Sequence, residues 1–195
     1  MVTAIVLAAG ESRRMGQLKP LLPFGTRTVI ETVVDSLRAS PVDAILVVTG
    51  HRGQEIEAAL PPGLARIVPN PDYPRGMLSS IQRGMAAAPP QTSWFLIALA
   101  DQPQLRPAVV ETLLRAAESG PGAYVPVYDG RRGHPILIHA SLRAAIAGLD
   151  AEGGLRRLWA ERPEIVRHVP VESDSVLHDM DTPEEYARLL TREER

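Results

Sequence analysis

The sequence predicts an α/β protein built on a mainly parallel sheet covered on both faces, with antiparallel edge pieces. Three observations predict it. Apolar runs at residues 4–8, 44–48 and 94–99 are rich in Val, Ile and Leu and lack polar alternation, as strands buried on both faces do. Helical apolar spacing lies between them, and strand and helix therefore alternate along the chain.

The helical spacings run Val29, Val33, Leu37; Ile56, Leu60; Leu78, Ile81, Met85; then Val110, Leu113, Leu114, Ala117. Weaker strand candidates at residues 65–68, 124–127, 136–138 and 166–169 are separated by Gly- or Pro-containing turns, and some of these are the expected antiparallel edge pieces. Asp181-Thr182-Pro183 places a capping residue and an early proline ahead of Tyr186, Leu189 and Leu190, so a last helix starts near Pro183. The final residues, 191–195, are expected to fray. There is no internal repeat and no long linker, and 195 residues with 45% hydrophobic content suit one domain over 1–195.

Composition excludes several classes of function. A formal net charge of -2 supplies no basic field for nucleic acid or an anionic membrane surface. The chain has no cysteine, so disulfides, thiolate metal sites and a cysteine nucleophile are out, which suits a reducing, cytoplasmic setting. Five scattered histidines lack zinc-ligand spacing, and the apolar N-terminal stretch is too short to span a bilayer. Among the 21 basic residues Lys19 is the single lysine, just past the loop from Gly10 to Gly16. An ammonium is a compact point charge that fits against phosphate where a broad guanidinium fork does not; chance retention is the plain alternative.

In open α/β sheets ligands bind beyond the carboxyl ends of the strands, so the residues after each apolar run carry the candidate chemistry. At the end of the first run and just past it come Leu7, Ala8, Ala9, Gly10, Ser12, Arg13, Arg14, Gly16 and Lys19. Small residues let backbone amides approach an anion, and three cations follow to meet phosphate oxygens, so this stretch is a candidate triphosphate cradle with Lys19 and Arg14 as its active cations. It is neither a P-loop nor a G-x-G-x-x-G dinucleotide loop, since Gly16 precedes no Lys-Ser/Thr pair and Gly10 has no glycine two residues on. An ordinary strand-to-helix loop with solvated arginines is the alternative. After residue 99, Asp101 is the leading ligand for Mg2+, which favours one or two carboxylates together with substrate phosphates; a helix-capping role for the segment near Arg106 is the alternative. Asp179 and Asp181 would share one side of an extended segment and complete the metal shell, although Asp181 equally suits a helix cap. Gly76, Ser79 and Ser80 open a helical segment whose hydroxyls and amides suit a nucleobase edge or ribose. Gly133, His134 and Pro135, after Arg131 and Arg132, suit an anionic second substrate or a simple turn.

Taken in order, Leu7-Ala8-Ala9-Gly10-x-Ser12-x-Arg14-Met15-Gly16-x-x-Lys19-x-Leu21-Leu22, Gly76-Met77-x-Ser79-Ser80-Ile81, Leu99-Ala100-Asp101-Gln102-Pro103, Gly133-His134-Pro135 and Asp179-Met180-Asp181-Thr182-Pro183-Glu184 resemble the MobA-like NTP transferase family, most of all its molybdenum cofactor cytidylyltransferase branch. The resemblance covers residues 5 to about 190. It implies a Rossmann-like nucleotidyltransferase fold, three-layer α/β/α, and transfer of CMP from CTP to the terminal phosphate of molybdopterin with release of pyrophosphate. It also implies the receiving molybdoenzyme or its chaperone as a protein partner. Guanylyl-transferring relatives usually show Ala-Gly-Gly in the first loop, so Ala8-Ala9-Gly10 favours cytidine; Leu78 departs from the small hydroxyl residue expected there. The rival readings are a sugar-phosphate or other small-molecule nucleotidyltransferase, and a non-catalytic carrier of the cofactor. A dehydrogenase is disfavoured by the missing glycine spacing.

Overall fold

The computed structural model describes residues 1–150 and 153–193, and the side chains of Arg13, Arg192 and Glu193 fall outside the description. The strands are β1 (Val2–Ala8), β2 (Pro23–Phe24), β3 (Arg27–Thr28), β4 (Ala44–Thr49), β5 (Arg66–Pro69), β6 (Trp94–Leu99), β7 (Ala123–Tyr128), β8 (Arg131–Arg132), β9 (Ile136–His139) and β10 (Val166–Pro170). The helices are α1 (Val29–Arg38), α2 (Gly53–Ala59), α3 (Met77–Ala87), α4 (Pro107–Ala117), α5 (Arg143–Ala147), α6 (Gly154–Glu161) and α7 (Pro183–Glu193). The sheet runs β10-β7-β9-β6-β1-β4-β5, with β8 paired to β7 and a separate small ribbon of β2 and β3.

β1 pairs in parallel with β4 on one side and β6 on the other. Its Ala4, Ile5 and Val6 have no exposed surface, because Ala4, Val6 and Ala8 face the layer of α1, α2 and α4 while Ile5 faces the layer of α3, α5 and α6. Covering on both faces is the arrangement that removes the need for polar alternation. The chain winds from β1 outward to β4 and β5, then returns across β1 to β6. The carboxyl ends of β1 and β6 therefore flank the point where the winding reverses, which is where an open α/β sheet leaves a crevice.

The antiparallel pieces sit elsewhere than expected. β9 lies inside the sheet, antiparallel to both β6 and β7, whereas the edge strands β5 and β10 pair in parallel with their neighbours; only the two-residue β8 is peripheral. The physical reason is a hairpin from β7. β8 pairs with residues 127 and 128, β9 pairs with residues 123 and 124, and the register advances by two residues after Gly133, whose amide still donates to the Pro126 carbonyl at 2.9 Å. The freed edge of β9 then pairs with β6, a long-range choice with no local signature.

α1 begins with a capping box, Thr28 to Glu31, and α4 with Pro107 in its first turn, both readable as helix starts. α7 begins at Pro183 as expected and runs to Glu193; of the stretch expected to fray, residues 194 and 195 lie outside the described residues. Helices α5 and α6 and the β2–β3 ribbon were not expected from periodicity. In α6, Leu155, Leu158 and Trp159 do carry a helical spacing, and they pack against the α3 layer.

Helix α3 lies against β1 and β4 at Gly84, where a Cβ would fall 2.4 Å from Ile5 Cγ2 and 3.0 Å from Val48 Cγ2. This close approach brings the start of α3 to the crevice. Overpacking a tight core costs about 1–3 kcal/mol, against a helix-propensity gain of up to ~1 kcal/mol for alanine over glycine. Gly84→Ala is therefore expected to lower the urea unfolding midpoint; a midpoint at or above wild type would show that the contact is not tight.

Candidate functional site

The 10–19 loop leaves β1 at its carboxyl end and is held in shape by its own hydrogen bonds. Ser12 adopts the left-handed conformation at φ 52, its carbonyl accepts from the Met15 amide at 3.0 Å, and its Oγ accepts from the Lys19 amide at 3.1 Å. A non-glycine residue in that region is uncommon and is held there by its surroundings. Gly16, at φ 65, closes the short turn. From β6, the Ala100 amide donates to the Leu7 carbonyl at 3.2 Å, which sets Asp101 beside the loop.

A third segment completes the site from the far end of the chain. Asp179 and Asp181 face the cleft while Met180 between them has no exposed surface and packs with Leu22, Phe24, Val29 and Leu189. The Met180 amide donates to the Asp101 carbonyl at 3.3 Å, and the amides of Asp181 and Thr182 donate to Glu185 Oε2 at 2.8 and 2.9 Å. Helix α7 thus holds the acidic segment against the exit of the 10–19 loop.

These segments enclose a cleft of about 630 Å³. Lys19 Nζ lies 3.0 Å from Asp101 Oδ2 and 2.6 Å from Asp181 Oδ1, while an Arg14 guanidinium nitrogen lies 2.6 Å from Asp181 Oδ2. Burial works against the Lys19 ammonium, but the hydrogen bonds and charges of Asp181 and Asp101 outweigh it and hold its pKa above 10.5. Burial pushes the Asp101 carboxyl above 3.8, only partly offset by Lys19 and reinforced by the charges of Asp179 and Asp181. The hydrogen bond from Lys19 is the main cause holding Asp181 below its usual value, with the charges of Lys19 and Arg14 adding to it against burial.

The structure brings together Leu7, Ala8, Ala9, Gly10, Ser12, Arg14 and Lys19 from the first loop, Gly76 and Ser80 from the start of α3, and Asp101, Asp179 and Asp181. Others among the expected residues are not on its walls. Gly16 serves the turn, and the side chain of Arg13 lies outside the described residues. The Ser79 hydroxyl is turned to the carbonyls of Gly76 and Asp72, at 2.8 and 2.9 Å, and accepts from Asn70. Gly133 is pressed against the Val176 backbone, where a Cβ would fall 2.2 Å from the carbonyl oxygen. Pro135, after a cis peptide bond, is buried. His134 donates its amide to Val176 and feels the charge of Asp101, yet burial dominates and lowers its pKa to about 4.

Sequence reasoning missed Tyr73, Pro74 and Met77, which form an apolar wall, and Gln102, whose amide donates to Asp179 Oδ1 at 2.6 Å. Met77 is 56% exposed at the start of α3, and an apolar residue ahead of the buried Leu78 was the available signal. Nothing local marks Gln102 as a partner of residue 179.

Two carboxylate oxygens converging on one ammonium form a donor set that also suits a divalent cation. Among the described residues no group of three or more His, Cys, Asp or Glu is arranged to hold a metal. Two carboxylates without a full protein cage match the way Mg2+ is bound when phosphates complete the shell. Among the described residues, no helix is long and apolar enough to cross a membrane.

Comparison with known proteins places the chain in a family. The MobA-like NTP transferase domain matches residues 4–168. The chain is 34% identical to nicotine blue oxidoreductase of Paenarthrobacter nicotinovorans over 197 residues, covering 97% of this chain and 96% of that protein. It is 28% identical to molybdenum cofactor cytidylyltransferase of Escherichia coli (strain K12) over 195 residues, covering 100% and 96%. Among solved structures, the manganese complex of Rv0371c from Mycobacterium tuberculosis H37Rv superposes with a TM-score of 0.82 at 27% identity, covering 97% of this chain and 98% of that one.

Two outcomes follow from the site's supports. Met180→Ala removes the anchor between two cleft aspartates and should cost about 2–5 kcal/mol and weaken Mn2+ binding, with Met180→Leu close to wild type in both; equal Mn2+ affinity in all three proteins would remove Met180 from the site. Between pH 6.5 and about 4 the unfolded chain protonates His134 while the folded chain does not, so stability falls as pH drops through that window. His134→Gln should flatten this limb in urea titrations, and an unchanged slope would contradict the assignment.

Proposed function

The chain belongs to the MobA-like NTP transferase family, and from that premise we propose that it transfers CMP from CTP to the terminal phosphate of molybdopterin, releasing pyrophosphate. That it is a nucleotidyltransferase of this family rests on the domain match; the choice of nucleotide and acceptor is the proposal. The observation that carries it is the meeting of the 10–19 loop with Asp101 and Asp181 in one cleft, joined through Lys19 Nζ.

The acceptor is a phosphate monoester, already ionised at neutral pH, so the step needs no general base. An acceptor oxygen forms a bond to the α-phosphorus as the bond from that phosphorus to the bridging oxygen breaks, and pyrophosphate departs with the electron pair. The amides of residues 9–12 together with Lys19 and Arg14 hold the triphosphate and favour charge growing on the departing pyrophosphate. Asp101 and Asp181 would hold a divalent metal, with Asp179 beside them, and a bound Mg2+ would supply charge neutralisation on the phosphate oxygens. Tyr73, Pro74, Met77 and Ser80 give the cleft a wall with apolar area for a ring and one hydroxyl for its edge. Preference for cytidine is supported by Ala8-Ala9-Gly10 and by the full-length likeness to the Escherichia coli cytidylyltransferase. A cytoplasmic setting and delivery to a molybdoenzyme or its chaperone belong to the same reading.

One relative of equal length is named for a redox activity. The absence of a G-x-G-x-x-G loop here argues against a dinucleotide in the same cleft. A sugar-phosphate acceptor would use the same site, and a pure carrier would bind ligand without turnover.

The deciding assay is pyrophosphate release from CTP, GTP, ATP or UTP with molybdopterin or a sugar phosphate, run beside NADPH oxidation. CTP with molybdopterin is expected to give the highest rate; release only with a sugar phosphate, or NADPH oxidation alone, would replace the reading. Asp101→Ala should lose roughly a hundredfold or more of turnover, comparable with removal of one transition-state charge contact, while far-UV circular dichroism stays as in wild type. Lys19→Arg should also lose most turnover, and a wild-type rate would show that a compact ammonium is not required.

A further inference from the structure

We propose that the Lys19 ammonium is the resident cation of the Asp101–Asp181 pair, so that a divalent metal binds poorly by itself and enters with the triphosphate that gives Lys19 another anion. The nucleotide half of this statement rests on the function proposed above; the metal half stands on the carboxylate geometry alone.

Both oxygens of Asp181 and one each of Asp101 and Asp179 already have donors. Lys19 Nζ takes Asp101 Oδ2 at 3.0 Å and Asp181 Oδ1 at 2.6 Å, Arg14 takes Asp181 Oδ2 at 2.6 Å, and Gln102 takes Asp179 Oδ1 at 2.6 Å. The Lys19 side chain is only 11% exposed, so it is not a solvated lysine brushing an acid. A metal that takes both aspartates meets a positive charge in its own coordination position. At Asp101 Oδ2 and Asp181 Oδ1 the two cations either crowd the same oxygens or the ammonium gives up both of its hydrogen-bond acceptors. Both are unfavourable for an ammonium whose side chain is itself largely buried.

A triphosphate removes the conflict. Held by the loop that carries Lys19, as the proposed function has it, a triphosphate would supply the missing anion as the metal takes the carboxylates. Metal and triphosphate then each raise the other's affinity by the same factor, as linkage requires. A lysine suits this exchange better than an arginine, because one point charge on a flexible stem moves between anions without breaking a planar two-toothed pairing.

The test is Mn2+ binding followed by electron paramagnetic resonance of the free ion, on wild type, Lys19→Met and Lys19→Gln, with circular dichroism to confirm folding. With metal alone, both variants are expected to bind Mn2+ about tenfold or more tightly than wild type, within the usual range of coupling between sites. In wild type, α,β-methylene-CTP should tighten Mn2+ by a similar factor, and the variants should lose most of that gain. Wild type binding Mn2+ alone as tightly as the folded variants would overturn the proposal. If neither variant folds, the wild-type measurement with and without the analogue decides, and no tightening overturns it. The metal-alone contrast contains no nucleotide, so a failure of the CTP reading appears separately, as an analogue that produces no thermal shift while the Mn2+ contrast persists.

Discussion

Burial of β1 on both faces is the constraint from which the rest of the structure follows. A strand whose Ala4, Ile5 and Val6 expose nothing must be flanked by parallel neighbours and roofed by helices on both sides. Its carboxyl end is the place where the chain escapes that packing, and there the winding reverses between β1 and β6. The 10–19 loop and Asp101 become neighbours because they occupy equivalent positions past adjacent strands. Packing fixes the crevice, and the polar residues inherit their proximity from it.

Within the crevice, two cations answer three aspartates. Lys19 and Arg14 face Asp101, Asp179 and Asp181, and most of their polar atoms are already matched. A cleft of that kind gains little from a lone anion or a lone cation, and more from a pair arriving together. The one lysine of the chain is the residue on which both carboxylates converge.

Legibility in the sequence tracked the range of the interactions. Uninterrupted Val, Ile and Leu announced β1, β4 and β6, helical apolar spacing announced α1 and α4, and the early Pro183 announced α7, since such signals lie within a few residues of what they specify. That the 10–19 loop and Asp101 lie on one cleft was readable for the same reason, since both follow a recognisable strand. β9 was readable as a strand but not as an interior one, because its place depends on pairing with β6 about forty residues earlier in the chain. Gln102 and Met180 matter through partners roughly eighty residues away, and nothing beside them in sequence reports it. Ser79 was misread for the opposite reason: its hydroxyl meets a local demand, from the turn before α3, ahead of any distant one.

Lys19 and Asp181 are separated by 162 positions, and α7, which steadies that aspartate, is the last described helix. Domains are made from the N-terminal end on the ribosome, so β1, the cradle and Asp101 all emerge before the acidic segment that meets them. A partly synthesised chain therefore carries the 10–19 loop with no Asp179–Asp181 segment opposite. The cleft acquires its acidic wall only after the strands that position the rest of it have been made.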